Sequence, residues 1–414
     1  MDNEVVQTVH HLLILFLIVF AAGIITGRLA AWIKVPDVVL FIGVGMLLGQ
    51  GLQWITEEST SLTNQLVLSA GSALILFDGG RNIRWHGLKQ VLVSVTLLST
   101  VGVVVTAGIV GFVAHEAFGL DWMTALLIGA VISSTDPATI IPVFRQVAVK
   151  ARLRETVESE SAFNDATGSI LTFALLTAIL SGHSPSLGSV SLDFIKTALG
   201  GLAVGFVLSA AIVYLVGHAK WGWFRDYAAL SMLSAAIAAY LAGELLHVSG
   251  LMATFTAGLV WGNARLLGVS IDDKNDEMGH VADNASVMMR MFIFILLGSQ
   301  VNFSLIGNYF WPALAVVAAL VFVARPLTVL SSAWPDRRTR WTGKELLFMC
   351  WVRETGVIPA ALSGMIVASG VAHADKVSAV VLLAVVFTIL VQASTTAWLA
   401  RILGLEENRS SSDE

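Results

Sequence analysis

The feature that most constrains this chain is the recurrence of apolar stretches, most of them about as long as a bilayer is thick, along nearly its whole length. A helix rising 1.5 Å per residue needs about 20 apolar residues to cross a hydrocarbon core. In lipid every backbone polar group must be satisfied within the structure, so stretches like these fold as helices. About thirteen spans are predicted. The first seven lie at about 9–32, 36–52, 62–80, 90–114, 122–148, 155–181 and 191–217. The other six lie at about 226–246, 250–263, 279–300, 308–333, 343–368 and 376–402. Only 13% of the residues are charged, roughly half the fraction of an average soluble domain, so no soluble domain fits between the spans. The expected fold class is an all-α polytopic membrane protein in contact with the lipid bilayer.

Charge sets the expected orientation. Basic residues gather in alternate connections: Arg28 and Lys34; Arg81, Arg84 and Lys89; Arg145, Lys150, Arg152 and Arg154; Lys220 and Arg225; Arg265 and Lys274; Arg337, Arg338, Arg340 and Lys344; Arg401 and Arg409. The opposite connections hold Lys376, with Lys196 near a helix end. By the positive-inside rule the N-terminus is outside and the C-terminus cytoplasmic, which an odd number of crossings requires. The first span follows Asp2 and Glu4 rather than a basic segment and has no small-residue cleavage site, so it is expected to be retained in the cell's inner or plasma membrane. The single cysteine, Cys350, supports neither a disulfide framework nor a cysteine metal site and is expected to be a small core residue.

Two spans are expected to be broken helices, because polar residues and proline meet at mid-depth. One carries Ser133-Ser134-Thr135-Asp136-Pro137 through Pro142, the other Arg353-Glu354-Thr355-Gly356 through Pro359. They run in opposite directions and share the run Ile140-Ile141-Pro142 against Val357-Ile358-Pro359, the pattern of an inverted-topology repeat. The expected organisation is a first six-helix repeat over 9–181, a connecting helix at 191–217, a second six-helix repeat over 226–402 and a short cytoplasmic tail at 403–414. Gly45 with Gly49 and Gly201 with Gly205 have the spacing that lets membrane helices approach closely.

An ionised group at the bilayer centre costs several kcal/mol on the gentlest scale. Asp78, Asp136, Glu160, Asp165, Arg325, Arg353 and Glu354 therefore each need a partner, a wet cavity or a purpose. In the sixth span helical periodicity stacks Ser161, Asp165 and Gly168 on one face, with Glu160 and Asn164 adjacent. Na⁺ prefers oxygen ligands, and Asp165, Ser161 and the Thr135–Asp136 break offer carboxylate, hydroxyl and freed carbonyl oxygens. A buried carboxylate can be neutralised by a proton or by a monovalent cation, and competition for one charge is an exchange mechanism. The acidic loop Asp272 to Glu277 lacks the Gly and terminal Glu of a calcium loop and reads as a solvated turn. No His-Glu-x-x-His, Gly-x-Gly-Asp or nucleotide loop is present, so an enzyme, a nucleotide-driven pump and a nucleic-acid binder are all disfavoured. A sodium-coupled symporter of an organic anion is an alternative that broken helices also suit.

Thr135-Asp136-Pro137 followed by Glu160-Ser161-Ala162-Phe163-Asn164-Asp165 resembles the NhaP-type branch of the monovalent cation/proton antiporters, over essentially the whole membrane region. The resemblance implies a homodimer of NhaA-like fold, with two unwound helices crossing beside the ion site and a core domain moving against a dimerisation domain. It implies that Asp165 binds ion and proton, that Asn164 stabilises the site, and that Asp136, Thr135 and Ser161 help coordinate Na⁺, with Glu160 paired structurally to Arg353. Asp78, counted with the ion- and proton-binding residues, stands where several relatives carry a glutamate and is one methylene shorter. Glu354 and Thr355 intervene where many relatives follow the arginine directly with glycine. With one ionisable Asp165 beside neutral Asn164, the expected activity is electroneutral exchange of one Na⁺ (or Li⁺ or K⁺) for one H⁺, without a cofactor. A K⁺/H⁺ antiporter of the same fold is the nearest alternative.

Overall fold

The computed structural model describes residues 2–33, 35–56, 61–135, 140, 144, 147, 149–182, 187–217, 222–336 and 339–406. The first part of the chain folds into α1 (Asp2–Ile33), α2 (Asp37–Met46), α3 (Leu62–Asn82), α4 (Trp85–Ser99), α5 (Val101–Phe118), α6 (Trp122–Val131), α7 (Ala151–Ser181) and α8 (Leu187–Gly217). Next come α9 (Ala228–Leu245), α10 (Gly250–Gly262), α11 (Asn275–Ser299), α12 (Phe303–Asn308), α13 (Phe310–Ala319), α14 (Arg325–Ser332), α15 (Gly343–Trp351), α16 (Val357–Ala368), α17 (Ala374–Phe387) and α18 (Ser394–Leu403). Among the described residues eight helical segments are long and apolar enough to cross a membrane, and four shorter apolar helices lie among them. The chain is therefore an integral membrane protein built from helices, the class its apolar pattern predicts.

Short polar signals set the helix ends. The side chains of Ser61, Asp121, Ser249 and Thr342 accept hydrogen bonds from backbone N–H groups of the first turns they cap. Gly119, Gly182 and Gly404 take the left-handed conformation that ends α5, α7 and α18. Thr342 and Glu345 form a capping box, and buried Glu345 also accepts from Arg152 Nη2 through both oxygens at 2.6 Å. That bridge ties the start of α15 to the start of α7.

Small residues bring the helices together. In lipid, apolar side chains gain nothing from leaving water, so close backbone approach carries the packing. Both glycine pairs noted in the sequence lie in such seams. A Cβ on Gly45 or Gly49 would lie 2.3 Å from Ile295 O or 2.4 Å from Ser299 O of α11. One on Gly201 or Gly205 would lie 2.6 Å from Ser249 O, at the start of α10, or 2.1 Å from Ala253 O within it. Gly205→Leu is expected to destabilise the protein by about 1–3 kcal/mol through overpacking, seen as a lower Tm in detergent. An unchanged Tm would mean that α8 and α10 separate without cost.

Both broken spans occur where the sequence places them. α6 stops at Val131, and Ile132 to Thr135 are non-helical. Asp136, Pro137 and Pro142 lie outside the described residues, as do Lys34, Arg145, Lys220, Arg337, Arg338 and Arg409 of the basic connections. The second break runs from Val352 to Gly356, between α15 and α16. A feature absent from the sequence reading is π-helical turns: Leu47–Gly51 after α2, Leu320–Ala324 between α13 and α14, and Thr388–Ala393 between α17 and α18. Such turns insert one residue and occur often at functional sites.

Candidate functional site

α7 carries the densest buried polar run in the described chain. Glu158, Ser159, Glu160, Ser161, Asn164 and Asp165 are all buried, Asp165 at 1% exposure. A helix so polar at mid-membrane persists only where neighbours satisfy it.

Thr135, the last described residue of the first break, is clamped to this helix by three bonds. Its backbone N–H donates to Asn164 Oδ1 at 3.0 Å, and its hydroxyl donates to Ser161 Oγ at 2.9 Å. Asn164 Nδ2 donates to Thr135 Oγ1 at 2.9 Å. The amide of Asn164 thus uses its acceptor and its donor on one residue, satisfying backbone that α6 no longer covers. An aspartate has no such donor when ionised. Gly168 keeps α7 near the break, since a Cβ there would meet Ser133 Oγ and Ser134 Cβ at 3.2 Å. Thr135, Ser161 and Asn164 therefore come together as the sequence pattern suggests, with Asp165 next along α7.

The ion pair differs from the expected one. Glu160 is bonded to Arg325, not Arg353: Arg325 Nη2 donates to Glu160 Oε2 at 3.0 Å and Nη1 donates to Glu160 Oε1. Arg325 also donates through Nε to Met349 O at 2.8 Å and through Nη2 to Val352 O at 3.1 Å. It neutralises a carboxylate and caps the carbonyl end of α15 together. Arg353 instead spans the two breaks, its Nη2 donating to Ile132 O at 3.0 Å and Ser133 O at 2.6 Å. The physical reason is chain reach: Arg325 follows the π turn on α14 and faces α7, whereas Arg353 sits within the break that meets Ile132 and Ser133.

Two further residues serve the second break. Gln392 Nε2 donates to Trp351 O at 2.7 Å, and Thr388 Oγ1 accepts from Thr355 N at 3.0 Å. Both belong to the π turn Thr388–Ala393. Their only sequence signal was polar side chains within a mostly apolar span. Glu354 is fully buried, in electrostatic contact with both Arg325 and Arg353.

Asp78 of α3 accepts from Arg81 Nη2 at 2.8 Å and from Ser286 Oγ of α11 at 3.2 Å. Arg81 lines a polar cavity of 500 Å³ whose other walls include Asn82, Arg154, Glu158 and Asp283. Glu158 lies seven residues before Asp165, about 10 Å along the same helix face. The cavity therefore lies at the end of α7 that carries Arg154, one wall of it on the helix face that also carries Asp165.

A family model described as sodium/hydrogen exchanger, transmembrane, matches residues 12–402. The chain is 32% identical over 401 residues to the K(+)/H(+) antiporter NhaP of Alkalimonas amylolytica, covering 96% of this chain and 67% of that protein. It is 31% identical over 368 residues to Na(+)/H(+) antiporter 1 of Methanocaldococcus jannaschii, covering 86% and 83%. Its fold matches the solved structure of the sodium proton antiporter MjNhaP1 from the same organism with a TM-score of 0.77 at 27% identity, over 94% of this chain and 97% of that one. Together these matches span nearly the whole membrane region, and the chain belongs to the sodium/hydrogen exchanger family, whose members are transporters rather than enzymes.

Proposed function

We propose that this protein exchanges Na⁺ for H⁺ across its membrane by alternating access, cation and proton competing for Asp165. The observation that carries the reading is a buried carboxylate on a helix clamped by Asn164 and Ser161 to a broken helix at Thr135. Asp165, Ser161, Thr135 and Asp136 form the Na⁺ ligand set, while Asn164 holds the break in place. Asp78, engaged by Arg81 and Ser286, serves the access route rather than the ion. Glu160 binds Arg325, and Glu354 lies in electrostatic contact with Arg325 and Arg353, which leaves these two carboxylates out of the Na⁺ ligand set.

The two breaks and their contact through Arg353 support two inverted six-helix repeats, 9–181 and 226–402, joined by the helix at 191–217. The working unit is a homodimer in the cell's inner or plasma membrane, N-terminus outside and C-terminus cytoplasmic. The polar cavity beside Arg154 then faces the cytoplasm. K⁺ is the second cargo to test, because the Alkalimonas relative bears the name of a K⁺/H⁺ antiporter.

The test is protein reconstituted in liposomes with a trapped pH-sensitive dye and an imposed proton gradient. Addition of NaCl, LiCl or KCl is expected to dissipate the gradient, with Na⁺ most effective. If no cation acts, antiport is wrong and the symporter of an organic anion leads. One carboxylate beside neutral Asn164 makes the exchange one for one, so an imposed membrane potential is expected to leave the initial rate unchanged. A several-fold acceleration by potential would show net charge movement and refute that stoichiometry.

A further inference from the structure

A second site lies on the far side of α7. Between α4, α7, α8 and α10 runs an apolar groove of 870 Å³, within the size range of small-molecule sites. Its walls include Leu92, Phe163, Leu199, Phe206 and Met252, and among the described residues its lining holds no charged side chain. At one end it meets a polar cavity of 460 Å³ with which it shares Asn263 and Leu266. Among the described residues that cavity is lined by Arg81, Arg84 and Arg265, of which Arg81 is bonded to Asp78. Where the two join, Asn263 Oδ1 accepts from Trp85 N at 2.9 Å, Arg84 Nη1 donates to Gly262 O at 3.0 Å, and Lys89 Nζ sits 5.2 Å from the centre of the Trp85 ring. An apolar trough continuous with a basic pocket has the polarity of one amphiphile with a negative head.

We propose that this groove and pocket bind an anionic phospholipid, acyl chains along α4 and α8 and phosphate at Arg84 and Arg265. Guanidinium groups bind phosphate oxygens in bidentate pairs, and basic pockets between membrane helices take anionic headgroups. A free anion has no use for the groove, and a neutral lipid has no use for the arginines. The acyl chains would lie against Phe163 and Thr167, the residues flanking Asn164, Asp165 and Ala166 on α7. α8 and α10 form the opposite wall, so the lipid bridges the site helix to the helices it packs beside. Binding does not depend on the cargo proposed above.

The test is native mass spectrometry of the purified intact protein with dioleoyl phosphatidylglycerol or dioleoyl phosphatidylcholine. The expected result is one phosphatidylglycerol retained per protomer, with roughly tenfold preference over phosphatidylcholine. Arg84→Gln with Arg265→Gln is expected to erase the preference, and Ala203→Trp, whose side chain fills the groove, to lose either lipid. Both variants should keep the lipid-free Tm of the parent, which separates lost binding from lost folding. Equal retention of both lipids by the parent, or undiminished retention by Ala203→Trp, overturns the proposal. So does a rise in Tm from inorganic phosphate equal to that from phosphatidylglycerol, which would make the pocket a simple anion site. If Ala203→Trp converts dimer to monomer without changing lipid retention, the groove is a subunit interface instead.

Discussion

Asp165→Asn is expected to reduce cation-driven proton movement in liposomes to the background of empty vesicles, a loss of at least about 100-fold, while the protein still purifies folded. The substitution keeps the shape of the side chain and removes its ionisable charge. A cation stripped of water needs that charge, because the effective penalty for an uncompensated buried ion is several kcal/mol, and each 1.4 kcal/mol is about a factor of ten in binding. The proton loses its acceptor in the same step, so neither half of the exchange can proceed. Folding is spared because the clamp to Thr135 comes from Asn164 and Ser161. Exchange at the parent's rate by Asp165→Asn would place the competing charge elsewhere, and buried Glu354 would be the next carboxylate to replace.

The largest loss of stability is expected at Arg325. Arg325→Met strands the Glu160 carboxylate in the membrane and uncovers the carbonyls of Met349 and Val352. Breaking a buried pair from one side costs about 3–5 kcal/mol, which should appear as a large fall in Tm and in yield of folded protein. Glu160→Gln leaves those carbonyl bonds in place and should cost less. The double variant should recover much of the single losses, since the uncompensated charge is gone. The same cycle run on Glu160 and Arg353 should show a smaller coupling, because Arg353 spends its Nη2 on Ile132 and Ser133. A larger coupling to Arg353 would return the pair to the assignment expected from the sequence.

That exchange of partners shows where sequence reading ends. The broken spans were legible because Ser133-Ser134-Thr135 and Arg353-Glu354-Thr355-Gly356 put polar atoms where lipid tolerates none without a reason. The Ser161, Asn164 and Asp165 face followed from the 3.6-residue period. Close packing at Gly45, Gly49, Gly201 and Gly205 followed from small-residue spacing. Which arginine meets Glu160 depends on helix rotation between distant parts of the chain, and no local pattern encodes it. Thr388 and Gln392 were missed for a related reason: their role depends on a π turn, and one inserted residue leaves no signature in an apolar run. The basic pocket of Arg81, Arg84 and Arg265 was visible in the sequence only as positive-inside charge.

Two of the π turns, Leu320–Ala324 and Thr388–Ala393, decide what a change of chain length does to the site. Each residue of an α-helix advances the side chain by about 100°, whereas a π turn takes up one extra residue within a single widened turn. Deleting one residue from Leu320–Ala324 would therefore let α13 and α14 merge into regular helix with Arg325 still facing Glu160. Deleting one residue from the regular helix before it would turn everything beyond by about 100°, and Arg325 would point away from Glu160 and from the carbonyls it covers, with every amino acid of the site still present. An alignment gap of one position in this span is harmless or as severe as replacing an arginine according to where it falls, although both would be scored as the same shortened stretch of leucine and valine.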